Sequence, residues 1–180
     1  IIETNYSWFM TKERIIDFVD VPGTILLRPH DFDSEDEGGD YDFLEVGGDQ
    51  LGLRIEEKLG TPLVKITRTY VHQRYYEWGQ IDVLPSLEWN GFRYANTEAV
   101  IAAAVVGPDG IRRPRLGHDG LICWLTSLLW GGFYKEKYDE IITRAAHEDR
   151  DCFYQSLEWA LGVGWADEMM EWALRGDARK

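Results

Sequence analysis

The chain has 180 residues, of which 44% are hydrophobic and 13% aromatic, so it can bury a folded core and is not a disordered segment. Its formal net charge of −13 at pH 7 argues against binding to long nucleic acids or to an anionic membrane, because both need clustered Lys and Arg. No run of about eighteen apolar residues is present, so the sequence predicts no membrane-spanning helix.

The first third of the chain alternates helical and strand patterns. The stretch "TKERIIDFVD" (11–20) has apolar residues at helical spacing, and "TILLR" (24–28) and "DYDFLEV" (40–46) have the length and composition of strands. A helix follows, with Asp49 as its predicted N-cap and Gly60 as its end. The order is therefore helix, strand, loop, strand, helix.

The middle of the chain predicts a denser β region. Residues 61–85 contain two or three strands, one of which is "QIDVL" (80–84). The stretch "LEWNGFRY" (87–94) predicts a β-hairpin, since Asn90-Gly91 between apolar and aromatic flanks is the sequence that a two-residue type I′ turn requires.

From residue 97 onward the patterns are helical. Thr97 is the predicted cap of a helix, 107–117 is a predicted loop, and four amphipathic segments follow to the end. Cys123 and Cys152 fall in apolar helical segments, where buried free thiols are expected, and this indicates a reduced, cytoplasmic environment. We predict an α/β (α+β) fold, with a small mixed-sheet core at 1–96 and a helical region at 97–180 packed on it.

Acidic residues are concentrated in one stretch, since nine Asp and Glu lie between Asp31 and Asp49 without a Lys or Arg. Two of them, Asp40 and Asp42, project from the same face of one predicted strand. Asp82 interrupts a later apolar strand, where burying a carboxylate costs free energy unless it is used or paired. Three such carboxylates in contact repel each other, and oxygen-only ligands suit Mg²⁺ or Mn²⁺.

Two simpler hypotheses stay open for the acidic stretch. A D-x-D pair in an acidic protein occurs by chance at solvated strand ends. The segment "DFDSEDEGGDYD" also places Asp31, Asp33 and Glu35 as in an EF-hand loop, but that loop requires Gly at the position of Asp36 and Glu at the position of Asp42. A calcium site of that kind is therefore disfavoured, whereas a solvated acidic loop is not excluded.

The order of these motifs resembles the nucleotidyltransferase superfold, the polymerase-β-like family. Its core is a helix, a strand, a loop, a second strand that starts with D-x-D, a helix, and a later strand with a third Asp; "ILLRPHDFDSEDEGGDYDFLEV" and "QIDVL" occupy those places here. The resemblance covers about residues 11–86. Within that superfamily the chain is similar to small domains found beside surface-polysaccharide biosynthesis enzymes, in which an "LRP" strand end also precedes the acidic loop.

The resemblance implies a metal-dependent transfer of a nucleotidyl group from a nucleoside triphosphate such as ATP. Asp40 and Asp42 would then be ligands of Mg²⁺ or Mn²⁺, and Asp82 a third ligand or a base. The acceptor is not identified; a role in polysaccharide biosynthesis is one expectation.

The chain departs from that family at the phosphate-binding element. Active members carry a Gly-Ser pair after the first strand, and this chain has Arg28-Pro29-His30 instead. We expect Arg28 to contact phosphate in its place, since a guanidinium binds phosphate oxygens bidentately, with Arg68 and Arg74 as further candidates. The alternative function is a catalytically inactive interaction or regulatory domain that binds a protein partner.

Overall fold

The computed structural model describes residues 17–18, 23–28, 40–77 and 79–179, and within them the fold is mixed α and β, as predicted. Of the predicted helix at 11–20, Asp17 and Phe18 are described and helical. The acidic positions 31–37, and Pro29 and His30 after Arg28, lie outside the described residues.

The elements follow the predicted order, with strands first and helices last. The strands are β1 (Thr24–Leu27), β2 (Asp40–Glu45), β3 (Val64–Arg68), β4 (Val71–Tyr76), β5 (Gly79–Leu84), β6 (Glu88–Trp89), β7 (Phe92–Arg93), β8 (Val105–Val106) and β9 (Arg112–Arg113). The helices are α1 (Gln50–Leu59), α2 (Thr97–Ala102), α3 (Leu116–Gly131), α4 (Asp139–Glu148), α5 (Arg150–Leu161) and α6 (Val163–Leu174), with a 3₁₀ turn at Glu136–Tyr138.

Five strands form one mixed sheet in the order β1-β2-β5-β4-β3. The central pair, β2 and β5, is parallel, and every other neighbouring pair is antiparallel. A parallel pair needs a crossover, and α1, β3 and β4 provide it. This crossover brings the D-x-D strand beside the strand that contains Asp82.

Each face of the sheet is covered by a different hydrophobic cluster. One face packs Phe43, Ile81 and Val83 against α1. The other face packs Ile25 and Leu44 against the helical region. The helical residues of this cluster include Leu121, Trp124, Ile142, Phe153, Leu157, Met170 and Ala173. The helices therefore bury the central part of one face of the sheet, while Val64 and Arg68 of the edge strand β3 stay exposed on it. The side chains of Asp40 and Asp42 alternate onto that same face.

The predicted hairpin turn and the predicted end of α1 are confirmed, whereas the predicted N-cap of α2 is wrong. Asn90 and Gly91 both have positive φ, 48° and 86°, as a type I′ hairpin turn requires. Gly60 ends α1 with φ 88°. The cap of α2 is Asn96, whose side chain accepts a hydrogen bond from the Ala99 N–H, while the predicted cap, Thr97, accepts one from the Leu87 N–H.

The segment after residue 102 contains more β structure than predicted. Val105–Val106 pairs with Arg112–Arg113 as a short antiparallel ladder, where we expected a helix end and a loop. Two-residue strands are too short to show a periodic pattern. Cys123 and Cys152 are free and buried, as expected. No helix among the described residues is both long enough and apolar enough to cross a bilayer.

Candidate metal centre

Three carboxylates meet on the helix-covered face of the sheet. Asp42 and Asp82 are direct partners in the parallel register of β2 and β5, and Asp40 lies two residues before Asp42 on the same face. Each of the three offers an oxygen, and these oxygens all lie within 4.8 Å of one another. The pairing of β2 with β5 therefore joins residues that are forty positions apart in the chain, a pairing that the strand patterns left open.

Burial makes this cluster electrostatically expensive. Asp42 is 2% exposed and Asp82 is 6% exposed, whereas Asp40 lies at the exposed rim. Burial raises the pKa of Asp42 to about 8; Arg28 lowers it, and Asp40 and Asp82 raise it further. Burial also raises the pKa of Asp82 to about 6. Unit charges at this separation repel by roughly 3 kcal/mol per pair at an effective dielectric of 20.

Two glutamines hold the Asp82 carboxylate. Gln80 Nε2 donates to Asp82 Oδ1 at 2.7 Å, from two residues earlier on β5. Gln73 Nε2, on the neighbouring strand β4, donates to Asp82 Oδ2 at 3.1 Å. Both amides favour the ionised carboxylate and fix its orientation. The strand "QIDVL" puts Gln80 and Asp82 on one face by the period of two, but no pattern in the sequence marks Gln80 or Gln73 as partners of Asp82.

Arg28 enters the cluster through an ion pair rather than standing apart as a phosphate ligand. Its Nη2 pairs with Oδ1 of Asp42, and its side chain is 20% exposed. The residue directly follows β1, whose last position, Leu27, pairs with Asp42. The guanidinium therefore neutralises one of the three carboxylates.

The end of α3 completes the pocket. The carboxylates line a cavity of about 160 Å³ together with Trp130, Gly131 and Lys135. One water occupies about 30 Å³ in the liquid, so the cavity has room for a cation with a few waters or phosphate oxygens. Lys135 makes no ion pair with any described residue. No pattern in the sequence marked Trp130 or Lys135, because both approach the site only through the packing of α3 on the sheet.

Arg74 lies on the opposite side of the sheet from the site, contrary to our expectation of a phosphate ligand. It pairs with Ile81 in the β4–β5 ladder, so it shares the face of Ile81 and not that of Asp82. Its guanidinium is fully buried, with Nη2 2.5 Å from Asp49 and Nε 2.7 Å from Glu56. Both carboxylates belong to the α1 region, so Arg74 joins the sheet to that helix.

Arg68 shares the face of the site but not the pocket. It pairs with Val71 on β3, at the far edge of the sheet, and its Nη1 lies 3.3 Å from the hydroxyl of Tyr70. Its side chain is not among those that line the cavity. The structure does not bring Arg68 to the carboxylates, because two strands separate β3 from β2.

The carboxylate of Asp49, the predicted helix cap, forms an ion pair with Arg74. Asp49 occupies the N-cap position of α1 but makes no side-chain capping bond. Glu45, at the end of β2, caps the helix instead, since both of its carboxylate oxygens accept from the Leu51 N–H, at 2.9 and 3.0 Å. The D-x-D strand is thereby fixed directly to the helix that follows it.

A larger cavity, of about 720 Å³, lies between α2, α3 and α5. Among its polar side chains, Arg115 pairs with Asp149 at 2.5 Å, and the Nδ1 of His118 lies 2.9 Å from Ser156 Oγ. Among the residues that the structure describes, no cluster of metal ligands lies in this cavity. We therefore place the chemistry in the smaller pocket, where charged groups converge.

Comparison of the chain with protein-family models, with curated proteins and with solved structures yields no match. The functional argument therefore depends on the site itself. Three carboxylate oxygens within 4.8 Å of one another, two of them on buried residues, fit a hard divalent cation such as Mg²⁺ or Mn²⁺.

Proposed function

We propose that the chain is a divalent-metal-dependent nucleotidyltransferase, which transfers a nucleotidyl group from a nucleoside triphosphate to an acceptor. The observation that carries the proposal is the convergence of Asp40, Asp42 and Asp82 at the parallel β2–β5 pair. The order of elements that produces this convergence resembles that of the nucleotidyltransferase superfold. That likeness supports the proposal without identifying the acceptor.

The three carboxylates would hold Mg²⁺ or Mn²⁺, because hard cations prefer oxygen ligands. When bound, such an ion neutralises phosphate charge and stabilises the charge that develops on the transferred group. The residues around it have separate tasks. Gln73 and Gln80 hold Asp82 in one orientation, and Asp82 would act as a third metal ligand or as the base that accepts the proton of an attacking hydroxyl.

Substrate binding would fall to the end of α3. Lys135 lines the pocket without an ion-pair partner among the described residues, so its ammonium is available to phosphate oxygens. Trp130 is 36% exposed beside it and is steadied edge-on by Tyr70, with ring centroids 5.6 Å apart. An exposed, fixed indole at a phosphate-sized pocket offers a stacking surface to a planar base.

The proposal is tested by metal binding and turnover in carboxylate variants. We expect calorimetry to detect Mn²⁺ binding to the wild type, and Asp40→Asn with Asp42→Asn to abolish both that binding and metal-dependent nucleotide turnover. The double variant should still fold, because the loss of repulsion among the three carboxylates offsets the loss of the Asp42–Arg28 ion pair. Asp151→Asn, on the exposed surface of α5, is the matched control and should bind Mn²⁺ normally. A wild type that binds no Mn²⁺ contradicts the proposal.

One observation favours a second candidate, a catalytically inactive domain. The guanidinium of Arg28 already pairs with Asp42, as a purely structural cluster would require. Under this alternative the wild type turns over no nucleoside triphosphate with any acceptor tested, and substitution of Arg28 lowers stability without altering metal binding.

A further inference from the structure

Arg28 is a cation built into the acidic pocket. Its Nη2 pairs with Asp42 Oδ1, and its guanidinium also hydrogen-bonds the side chain of Tyr138 in the 3₁₀ turn. Four-fifths of the side chain is removed from solvent. A surface arginine that swings onto a carboxylate by chance would have neither this burial nor a second partner.

The backbone of Arg28 is also fixed in an unusual conformation. Its φ of 63° lies in the left-handed region, which residues other than Gly seldom adopt. The Arg28 N–H donates to the carboxylate of Asp119, a buried residue in the first turn of α3. Strand β2, helix α3 and the 3₁₀ turn therefore hold one residue, and the guanidinium is directed at Asp42.

The net charge of the pocket includes its basic side chains as well as the three carboxylates. With all three carboxylates ionised, the Arg28 guanidinium and the Lys135 ammonium leave the lining a net charge of −1, which one divalent cation is enough to neutralise. Carboxylates shared between the two ions of a two-metal site must offer oxygens to both ions. One oxygen of the central carboxylate, Asp42 Oδ1, is bound to Arg28 instead.

We propose that Arg28 takes the place of a second cation, so that the substrate-free pocket binds one divalent ion and not two. This inference depends on the proposed function, since it assumes that the carboxylates hold metal. It assigns Arg28 a positioning role toward the metal rather than the phosphate-binding role that its sequence position suggested.

The experiment is a titration of the full chain with Mn²⁺ alone, followed by calorimetry and by electron paramagnetic resonance. We expect one Mn²⁺ per chain in the wild type and in Arg28→Lys, which keeps the charge. Arg28→Gln should bind two Mn²⁺, with the spectrum of a spin-coupled pair. Arg68→Gln removes an arginine on the same face but outside the pocket and should bind one.

The outcomes separate this inference from the proposed function. Two Mn²⁺ in the wild type overturn the role of Arg28 while leaving a metal-dependent enzyme. A folded Arg28→Gln variant that still binds one overturns it as well. No Mn²⁺ in the wild type overturns the proposed function and this inference together. If Arg28→Gln does not fold, the stoichiometry of the wild type and of Arg28→Lys still decides, since either one binding two ions contradicts the proposal.

Discussion

Asp119 is a buried carboxylate that lies behind the pocket and does not line it. It is 6% exposed, its partners are the Arg28 N–H and the Cys123 thiol, and burial raises its pKa from 3.8 to about 7. The folded state therefore retains a proton that the unfolded state releases between about pH 4 and pH 7. Because the unfolded state binds fewer protons in that range, this group makes stability fall as pH rises.

Asp119→Asn should remove that pH dependence while keeping an oxygen acceptor for the Arg28 N–H. We expect the free energy of unfolding of the variant, relative to the wild type, to increase by on the order of 2 kcal/mol between about pH 5 and about pH 8. Urea unfolding of both proteins at the two pH values measures it. A difference between the two proteins that stays constant with pH contradicts the assignment of a raised pKa to Asp119.

Lys135 is the cation of the pocket that no described carboxylate pairs with. Lys135→Gln should weaken binding of a non-hydrolysable nucleoside triphosphate about tenfold, since one charge-assisted hydrogen bond contributes about 1.5 kcal/mol. It should not weaken Mn²⁺ binding, because it removes a positive charge near the carboxylates. Calorimetry measures both affinities.

Lys58→Gln is the control for this change. Lys58 is a partly exposed lysine of α1 that pairs with Asp17 at 2.8 Å, and α1 covers the other face of the sheet. Equal loss of nucleotide affinity in both lysine variants would show a general effect of net charge and not a contact with the substrate.

At the scale of single elements, α1 is joined to the sheet by ion pairs between side chains as well as by apolar packing. Gly52 lies in this helix where a Cβ would overlap the Asp49 carboxylate and the Arg74 guanidinium. The absent side chain leaves the space in which Arg74 reaches the helix. Gly in a helix interior is unfavourable by itself, so its presence here follows from the contact rather than from helix propensity.

Gly52→Ala should therefore destabilise the protein by about 3 kcal/mol or more, because it separates a buried ion pair. Denaturant unfolding measures the change. Gly164→Ala, in α6, is the matched control: nothing lies within 4 Å of its Cβ position, so the same substitution should stabilise by up to about 1 kcal/mol. Destabilisation of similar size at both positions would contradict the steric explanation.

The elements themselves were largely predictable, whereas the face that each side chain occupies was predictable only within a strand. Asp40 and Asp42 share a face by the period of two, and the structure agrees. Whether Gln73 or Arg74 joins Asp82 depends on the length of the turn between β4 and β5, because a shift of one residue exchanges the faces. Sequence reasoning named Arg74, and the observed register selects Gln73.

The role of Arg28 was not predictable from sequence for a different reason. The sequence showed an arginine at the end of a strand, where a solvated side chain or a phosphate ligand was the natural expectation. Its contact with Asp42 depends on a positive φ and on Asp119, which lies ninety-one positions later in the chain. Neither secondary-structure propensity nor hydrophobic periodicity predicts such a contact.

At the scale of the whole molecule, the sheet and the helices share one core. Ile25, Leu27 and Leu44 of the sheet belong to the same buried cluster as Leu121 and Phe153 of the helices. A division of the chain at residue 96 therefore follows the order of elements but cuts through packed side chains. The C-terminal region is also needed chemically, since Trp130 and Lys135 line the pocket.

A fragment that ends at residue 96 should therefore fail to fold. Without α3 to α6, one face of the sheet would expose its apolar side chains together with the carboxylate cluster, and no compensating burial remains. Circular dichroism of the fragment should show no cooperative thermal transition, in contrast to the full chain. A cooperative transition in the fragment would show that the first 96 residues form a separate domain.

Because β2 and β5 pair in parallel, the proposed metal site forms only in the folded state. Its ligands are forty residues apart and meet only after α1, β3 and β4 have packed between them, so the unfolded chain cannot reproduce their arrangement. A cation that binds only the folded state stabilises it, by about 2.7 kcal/mol at a concentration one hundred times the dissociation constant. The proposed cofactor would then also act as a thermodynamic clamp: Mn²⁺ should raise the melting temperature of the wild type and leave that of the Asp40→Asn, Asp42→Asn double variant unchanged.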